Sequence, residues 1–203
     1  MVVLASGEGT NLQALIDGPV AEGAARLVGV ASDKPDAPAL ARGEAAGAAI
    51  SAFPLTDYAD RAERDAAIGD WIEARGAELV VLAGYMQLLE GALVNRLSGR
   101  IINVHPSLLP AFAGLDAIGQ ALDYGVAVTG VTVHFVDEGV DTGPVLLQRP
   151  VAVPDGRDRA TLERAVHEAE HELLPEAVRL IASGRVRLSA NGGGRSRVSI
   201  LPG

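Results

Sequence analysis

The chain contains no cysteine, which excludes disulfides, thiolate zinc sites and thiol nucleophiles. Aromatic residues are scarce, three Phe, three Tyr and one Trp, so Ala, Val and Leu must fill most of any core. Basic residues are outnumbered as well: 17 Lys and Arg stand against 26 Asp and Glu, for a net charge of -9. Such a chain is poorly suited to tracking a phosphate backbone, because nucleic-acid affinity comes mostly from neutralised phosphates. A small anion held at one local site is still allowed. The longest apolar stretch, around Leu79 to Met86, is far shorter than the roughly 20 residues of a membrane span. The start, MVVLASGEGT, lacks the basic opening and extended apolar run of a signal peptide. These absences predict a cytoplasmic protein with no nucleic-acid or membrane partner.

What is present is an alternation of apolar runs with amphipathic segments. Met1 to Ala5, Leu27 to Ala31, Ala49 to Ala52, Leu79 to Ala83 and Arg100 to Val104 read as strands. Helices are expected over about 10–17, 37–46 and 57–75. Continuous apolar strands separated by helices predict an α/β fold, a single doubly wound and mostly parallel sheet covered on both faces. The pattern then changes. Val128 to Val136 alternates, with Val131, Val133 and Phe135 on one face and Thr132, His134 and Val136 on the other. Val145 to Val153 is a second run, and its Pro150 suggests an edge position. These two predict antiparallel strands near the C-terminal part. Apolar positions Leu162, Val166, Ala169, Leu173, Ala177 and Leu180 step by three and four, as a packed helix over 159–183 requires. No internal boundary is visible before Leu188, so one domain is expected over 1–188, followed by a flexible Gly/Ser/Arg tail over 189–203.

Two stretches carry chemistry. ASGEGTN, residues 5–11, joins the first strand to the first helix. Gly7 and Gly9 let the backbone turn tightly, Thr10 and Asn11 offer side chains, and the free N–H groups of a helix start favour an anion. A dinucleotide fingerprint would need a third glycine where Leu12 stands. A P-loop would need Gly-Lys-Ser/Thr, which is absent. A single phosphate monoester therefore fits better than a pyrophosphate, although an ordinary βα turn capped by Thr10 explains the same residues. Asp33, at the end of the second strand, stands where a ribose-binding acid might sit in a dehydrogenase.

The other stretch is INVHPSLLP, residues 102–110. Asn103 and His105 emerge at the carboxyl end of a strand, on the same side by the two-residue period, where open α/β sheets bind ligands. Pro106 and Pro110 restrict the chain around them. An amide and an imidazole on one side can address a single oxygen that gains negative charge, each donor being worth roughly 3 kcal/mol in the barrier. A histidine in that role works protonated and needs a nearby acid. The candidates are Asp137, Glu138 and Asp141 in VDEGVDTGP, with Asp141, which leads into the next strand, ranked first.

Together, SGEGTNLQALID, VVLAGYMQLL, INVHPSLLP, GVTVHFVDEGVDTGPVLLQ and EAEHELLPEAV resemble, in order and spacing, the glycinamide ribonucleotide formyltransferases of purine biosynthesis. The resemblance runs from Val2 to about Leu188. It implies a formyltransferase fold and a one-carbon reaction, with 10-formyltetrahydrofolate as co-substrate, glycinamide ribonucleotide as acceptor, no required metal, and a monomer or homodimer. It implies Asn103, His105 and Asp141 as the catalytic set. It implies Gly9, Thr10 and Asn11 at the 5′-phosphate and Glu170 near the glycinamide end. Folate would meet Arg61, Met86, Gln87, Leu88, Leu89, Asn103 and the loop Asp137, Glu138, Gly139, Val140, Asp141.

One segment departs from the family pattern. After LLP the family usually has Pro-Gly, then a histidine and often a basic residue, where this chain has Ala113, Asp116 and Gly119. An aspartate in the histidine's place is expected to set two carboxylates close together and weaken the pairing of Asp141 with His105. Gln87 stands where arginine is common. A 10-formyltetrahydrofolate hydrolase, a degraded folate- or nucleotide-binding protein and a dehydrogenase are the alternatives. The related tRNA formyltransferases carry an added basic domain, for which 203 acidic residues leave no room, and the hydrolases usually carry an extra N-terminal domain, whereas the first strand here starts at Met1.

Overall fold

The apolar runs form the strands their composition predicts. The computed structural model describes residues 1–189 and 196–202, and the chain forms two compact units, Met1–Asn103 and Val104–Gly203. The sequence predicted one domain. The division falls inside a continuous strand, where no linker composition could mark it.

In the first unit, β1 (Val2–Leu4), β2 (Gly29–Ser32), β3 (Ala49–Ala52), β4 (Val80–Leu82) and the start of β5 (Ile101–His105) lie in the order β3-β2-β1-β4-β5. Every pairing among them is parallel. β1 and β4, flanked on both sides, are buried throughout, whereas β3 ends the order and is partly exposed. This is the burial pattern that continuous and interrupted apolar runs encode. Helix α1 (Thr10–Leu15) runs into a π-helical turn over Ile16–Val20, which contains Pro19. Helix α2 (Pro38–Ala45) follows β2.

The helix expected from residue 57 begins later, as α3 (Arg61–Glu73), because Asp60 caps it by accepting the Glu63 N–H at 2.9 Å. Glu63 in turn accepts the Ala59 N–H. A short helix α4 (Gly91–Arg96) was not foreseen; its six residues hold too few apolar positions to display a period.

The second unit contains α5 (Ala117–Tyr124), β6 (Val128–Phe135), β7 (Val145–Ala152) and α6 (Arg159–Ala182). β6 and β7 are antiparallel, with a register irregularity at Val133/His134. Pro150 pairs with Gly130, and a side chain on Gly130 would meet the Arg149 carbonyl oxygen at 2.2 Å. α6 packs on both strands and on α5.

The expected tail is corrected at its described positions. β8 (Val186–Ser189) pairs antiparallel with β9 (Arg197–Ile200), and β9 lies against β7. The alternations Val-Arg-Leu-Ser and Arg-Val-Ser-Ile suit a two-stranded ladder, a signal that the Gly-rich stretch between them obscured. Residues 190–195 and Gly203 lie outside the described residues. The fold class is the one expected: α/β, mostly parallel, with antiparallel strands toward the C-terminus. No helix among the described residues is long and apolar enough to cross a membrane.

Candidate active site

His105 is the last residue of β5 and is buried. Its Nε2 lies 2.9 Å from the Phe112 carbonyl oxygen. A carbonyl only accepts, so Nε2 carries hydrogen and Nδ1 is the ring nitrogen left for chemistry. Nδ1 faces Asp141, 3.3 Å from Oδ2. The same oxygen accepts the Gly114 N–H at 2.8 Å.

A second histidine, not singled out in the sequence, approaches the other carboxylate oxygen. His134 Nε2 lies 3.5 Å from Asp141 Oδ1, and its Nδ1 donates to the Phe135 carbonyl at 2.9 Å. The available signal was a polar residue between Val133 and Phe135, in a strand that is buried on both faces from its second residue onward. Burial by itself would raise the Asp141 carboxyl. The hydrogen bond from His134, the Gly114 N–H and the charges of the two imidazoles outweigh it and hold the carboxyl below its ordinary value. The site is a carboxylate clasped by two imidazoles, each oriented by a backbone carbonyl.

The segment after β5 is fixed by a buried hydroxyl. Thr132 Oγ1 donates to the Ser107 carbonyl at 2.7 Å and accepts from the Leu109 N–H at 3.1 Å and from Gln148 Nε2 at 2.9 Å. Gln148 also donates to the Leu109 carbonyl.

The 137–142 loop is closed by Asp137, whose Oδ1 accepts from the Gly139 N–H and from Thr142 Oγ1 at 2.6 Å. A Cβ on Gly143 would come within 1.8 Å of the Phe135 carbonyl oxygen, so the turn can close only around glycine. Of the three acids weighed from sequence, Asp141 is the one placed beside His105; Asp137 shapes the loop. Val140, in the same loop, is half exposed, and Glu170 is buried on α6.

In the first unit, Gly9 stands at the N-cap of α1 with φ 72°, a left-handed conformation. Thr10 is therefore the first helical residue rather than the cap. A Cβ on Gly9 would lie 2.8 Å from Ala39 Cβ. Arg42 Nε donates to the Glu8 carbonyl at 2.7 Å and steadies the turn. Asn11 is buried.

The 86–90 segment exposes Met86 and Leu88 but is bolted from beneath. The Met86 N–H donates to Ser6 Oγ at 2.8 Å. Arg64, completely buried, pairs with Asp65 at 2.7 Å and donates to Gln87 Oε1 and to the Leu88 carbonyl. Asp65 Oδ2 accepts the Glu90 N–H. Gln87 Nε2 donates to Asp33 Oδ2, so one oxygen of that candidate ribose ligand is already committed. Arg61 reaches Glu90 at 3.6 Å and is half exposed. The arginine that touches the 86–89 segment is Arg64, which sequence reasoning missed because an Arg beside an Asp on a charged helix reads as a solvated face.

The formyl transferase family model matches residues 1–178. The chain belongs to the formyl transferase family. It is 46% identical to the glycinamide ribonucleotide transformylase 1 of Symbiobacterium toebii, whose crystal structure superposes with a TM-score of 0.92, covering 99% of this chain and 93% of that one. It is 41% identical to the phosphoribosylglycinamide formyltransferase of Bacillus subtilis over 87% of this chain and 91% of the relative. It is 45% identical to the trifunctional purine biosynthetic protein adenosine-3 of Bos taurus over 95% of this chain, but spans only 19% of that protein's length.

Against the family pattern, the expected crowding of Asp141 by Asp116 does not occur. Asp116 is exposed and paired with Arg159 at 2.7 Å, and its own carboxyl is lowered, chiefly by that hydrogen bond. A second imidazole beside Asp141 comes from β6, as His134. Among the described residues, no group of three or more His, Asp or Glu is placed to hold a metal ion.

Proposed function

We propose that this formyl transferase moves the formyl group of 10-formyltetrahydrofolate to the primary amine of glycinamide ribonucleotide, a step of purine biosynthesis. The observation that carries the reading is the His105–Asp141–His134 cluster at the end of β5, two residues from Asn103.

The neutral amine attacks the formyl carbon. A new C–N bond forms and the carbonyl π electrons move onto oxygen. Asn103 and the Nδ1–H of His105 donate to that oxyanion, in a site where such donors are preorganised. The Asp141 carboxylate, 3.3 Å from Nδ1, holds the ring in place for that contact. The attacking nitrogen, now an ammonium, gives up a proton that passes by way of water and Asp141 to N10 of the folate. The C–N10 bond then breaks, releasing tetrahydrofolate and the formylated nucleotide. No covalent enzyme intermediate is formed, in keeping with the absence of cysteine. Holding amine and formyl carbon in contact removes on the order of 7 kcal/mol or more from the barrier in the best cases.

In this reading Gly9, Thr10 and Asn11 take the 5′-phosphate and Glu170 the glycinamide end. Folate contacts the 86–89 segment and the loop 137–141, largely through backbone groups. The left-handed turn at Gly9 and the anchoring of both loops support these roles. Arg61, paired with Glu90, is assigned a contact with the folate.

The test is consumption of 10-formyltetrahydrofolate by purified protein with and without glycinamide ribonucleotide. Consumption that depends on the nucleotide is expected. Consumption in water alone, releasing formate, would make the chain a hydrolase and overturn the reading. So would binding of folate with no turnover.

A further inference from the structure

The 107–116 loop supplies two of the groups that aim the catalytic cluster: the Phe112 carbonyl on His105 and the Gly114 N–H on Asp141. Its conformation is costly. Phe112, Gly114 and Asp116 all have positive φ, at 54°, 84° and 52°, and for Phe and Asp this is a sparsely populated region that persists only where surroundings impose it. Leu115, between them, is 83% exposed; Phe112 packs edge-on against Tyr124, and Gln120 Nε2 donates to the Ala113 and Leu115 carbonyls at 3.2 and 2.8 Å.

An ion pair also meets that end. Arg159, the first residue of α6, donates from Nη2 to Asp116 Oδ1 at 2.7 Å and from Nη1 to Oδ2 at 3.3 Å, a two-pronged contact. Asp116 Oδ1 also accepts the Gly119 N–H at 3.2 Å, capping α5. Gly119 is the partner in this arrangement. A Cβ there would lie 2.2 Å from Asp116 Oδ2, so the carboxylate can occupy its place only if residue 119 has no side chain. The two departures from the family pattern, Asp116 and Gly119, are thus a matched pair.

We infer that Asp116 and Arg159 form a latch that holds the 107–116 loop against His105 and Asp141, making both positioning residues for formyl transfer. This rests on the proposed transferase reading for its kinetic consequence, but the latch itself is readable without activity. An exposed pair is screened by salt, so the catalytic geometry depends on ionic strength through these two side chains.

Asp116→Asn keeps a capping oxygen on the Gly119 N–H and removes the charge and one of the two oxygens that accept from Arg159. Together with Arg159→Gln and Gly119→Ala, it is expected to lower kcat by about three- to tenfold, with KM for both substrates little changed. The double variant Asp116→Asn/Arg159→Gln is expected to lose no more than either single variant. Wild-type kcat should fall as salt rises from about 0.05 to 0.5 M, and that of Asp116→Asn should not.

Hydrogen exchange at the Gly114 amide, whose acceptor is Asp141, is the readout independent of turnover. It is expected to quicken by about three- to tenfold in Asp116→Asn and Arg159→Gln, and no further in the double variant. Unchanged exchange in Asp116→Asn and Arg159→Gln would overturn the latch whatever the activity. Absent nucleotide-dependent turnover in the wild type, with exchange behaving as described, would instead overturn the transferase reading and leave the latch standing. Fully multiplicative losses in the Asp116→Asn/Arg159→Gln double variant would also overturn the latch.

Discussion

His134 Nε2 lies 3.5 Å from Asp141 Oδ1 while His105 Nδ1 lies 3.3 Å from Oδ2, so each oxygen of one carboxylate faces its own imidazole. A carboxylate with one partner can rotate about its Cβ–Cγ bond; one with two, plus the Gly114 N–H, cannot do so without losing contacts. His134→Ala is therefore expected to lower kcat by roughly tenfold or more, with a smaller change in KM. Steady-state kinetics with either substrate varied checks this, and unchanged kcat would mean that Asp141 needs no second imidazole.

Asn103 and His105 are proposed to act on one oxygen. Removing either donor should cost about 10²- to 10³-fold in kcat, and the double variant Asn103→Ala/His105→Ala should cost less than the product of the two. A fully multiplicative effect in single-turnover measurements would argue that they act on different atoms.

The Asp141 carboxyl is held below its ordinary value. A depressed carboxyl contributes stability that is present above the unfolded value of about 3.9 and is lost as pH falls through the lower folded value. Urea unfolding from about pH 3 to 7 should show stability falling toward the acid end, with a shallower fall in Asp141→Asn. Parallel acid limbs for the two proteins would show that the clasp does not outlast folding.

Arg64 and Asp65 are a buried ion pair that also holds the 86–90 backbone. Arg64→Leu strands the Asp65 charge in the interior, an error that costs about 3–5 kcal/mol. Arg61→Ala, three residues earlier and half exposed, should leave the urea midpoint nearly unmoved. Equal effects of the two substitutions would contradict the burial difference between them.

Gly9 combines φ 72° with a Cβ position 2.8 Å from Ala39 Cβ. Gly9→Ala is expected to cost about 1–3 kcal/mol of stability and, on the proposed phosphate contact, to raise KM for the nucleotide more than KM for the folate. A selective rise in the folate KM would move the phosphate elsewhere.

The sequence by itself determined strands β1 to β7 and helices α1, α2, α3 and α6, because run length and apolar period are properties of neighbouring residues; α4 and α5, six and eight residues long, were missed. It placed Gly9 at a tight turn and Asn103 and His105 at the end of β5. It also singled out Asp141 among three nearby acids. It read Asp116 as a threat to the site and the stretch after Leu188 as a tail, and both readings failed for the same reason. The partner of Asp116 is 43 residues away at Arg159, and the partner of Leu188 is Val198, across the Gly-rich stretch. His134 and Arg64 were hidden likewise: one looked like a polar residue in a strand and the other like a charge on a helix. Only tertiary structure decided that the first meets Asp141 and the second lies under Leu88. A residue's type and local period state which face it occupies, whereas what stands opposite that face is set by the packing of distant elements.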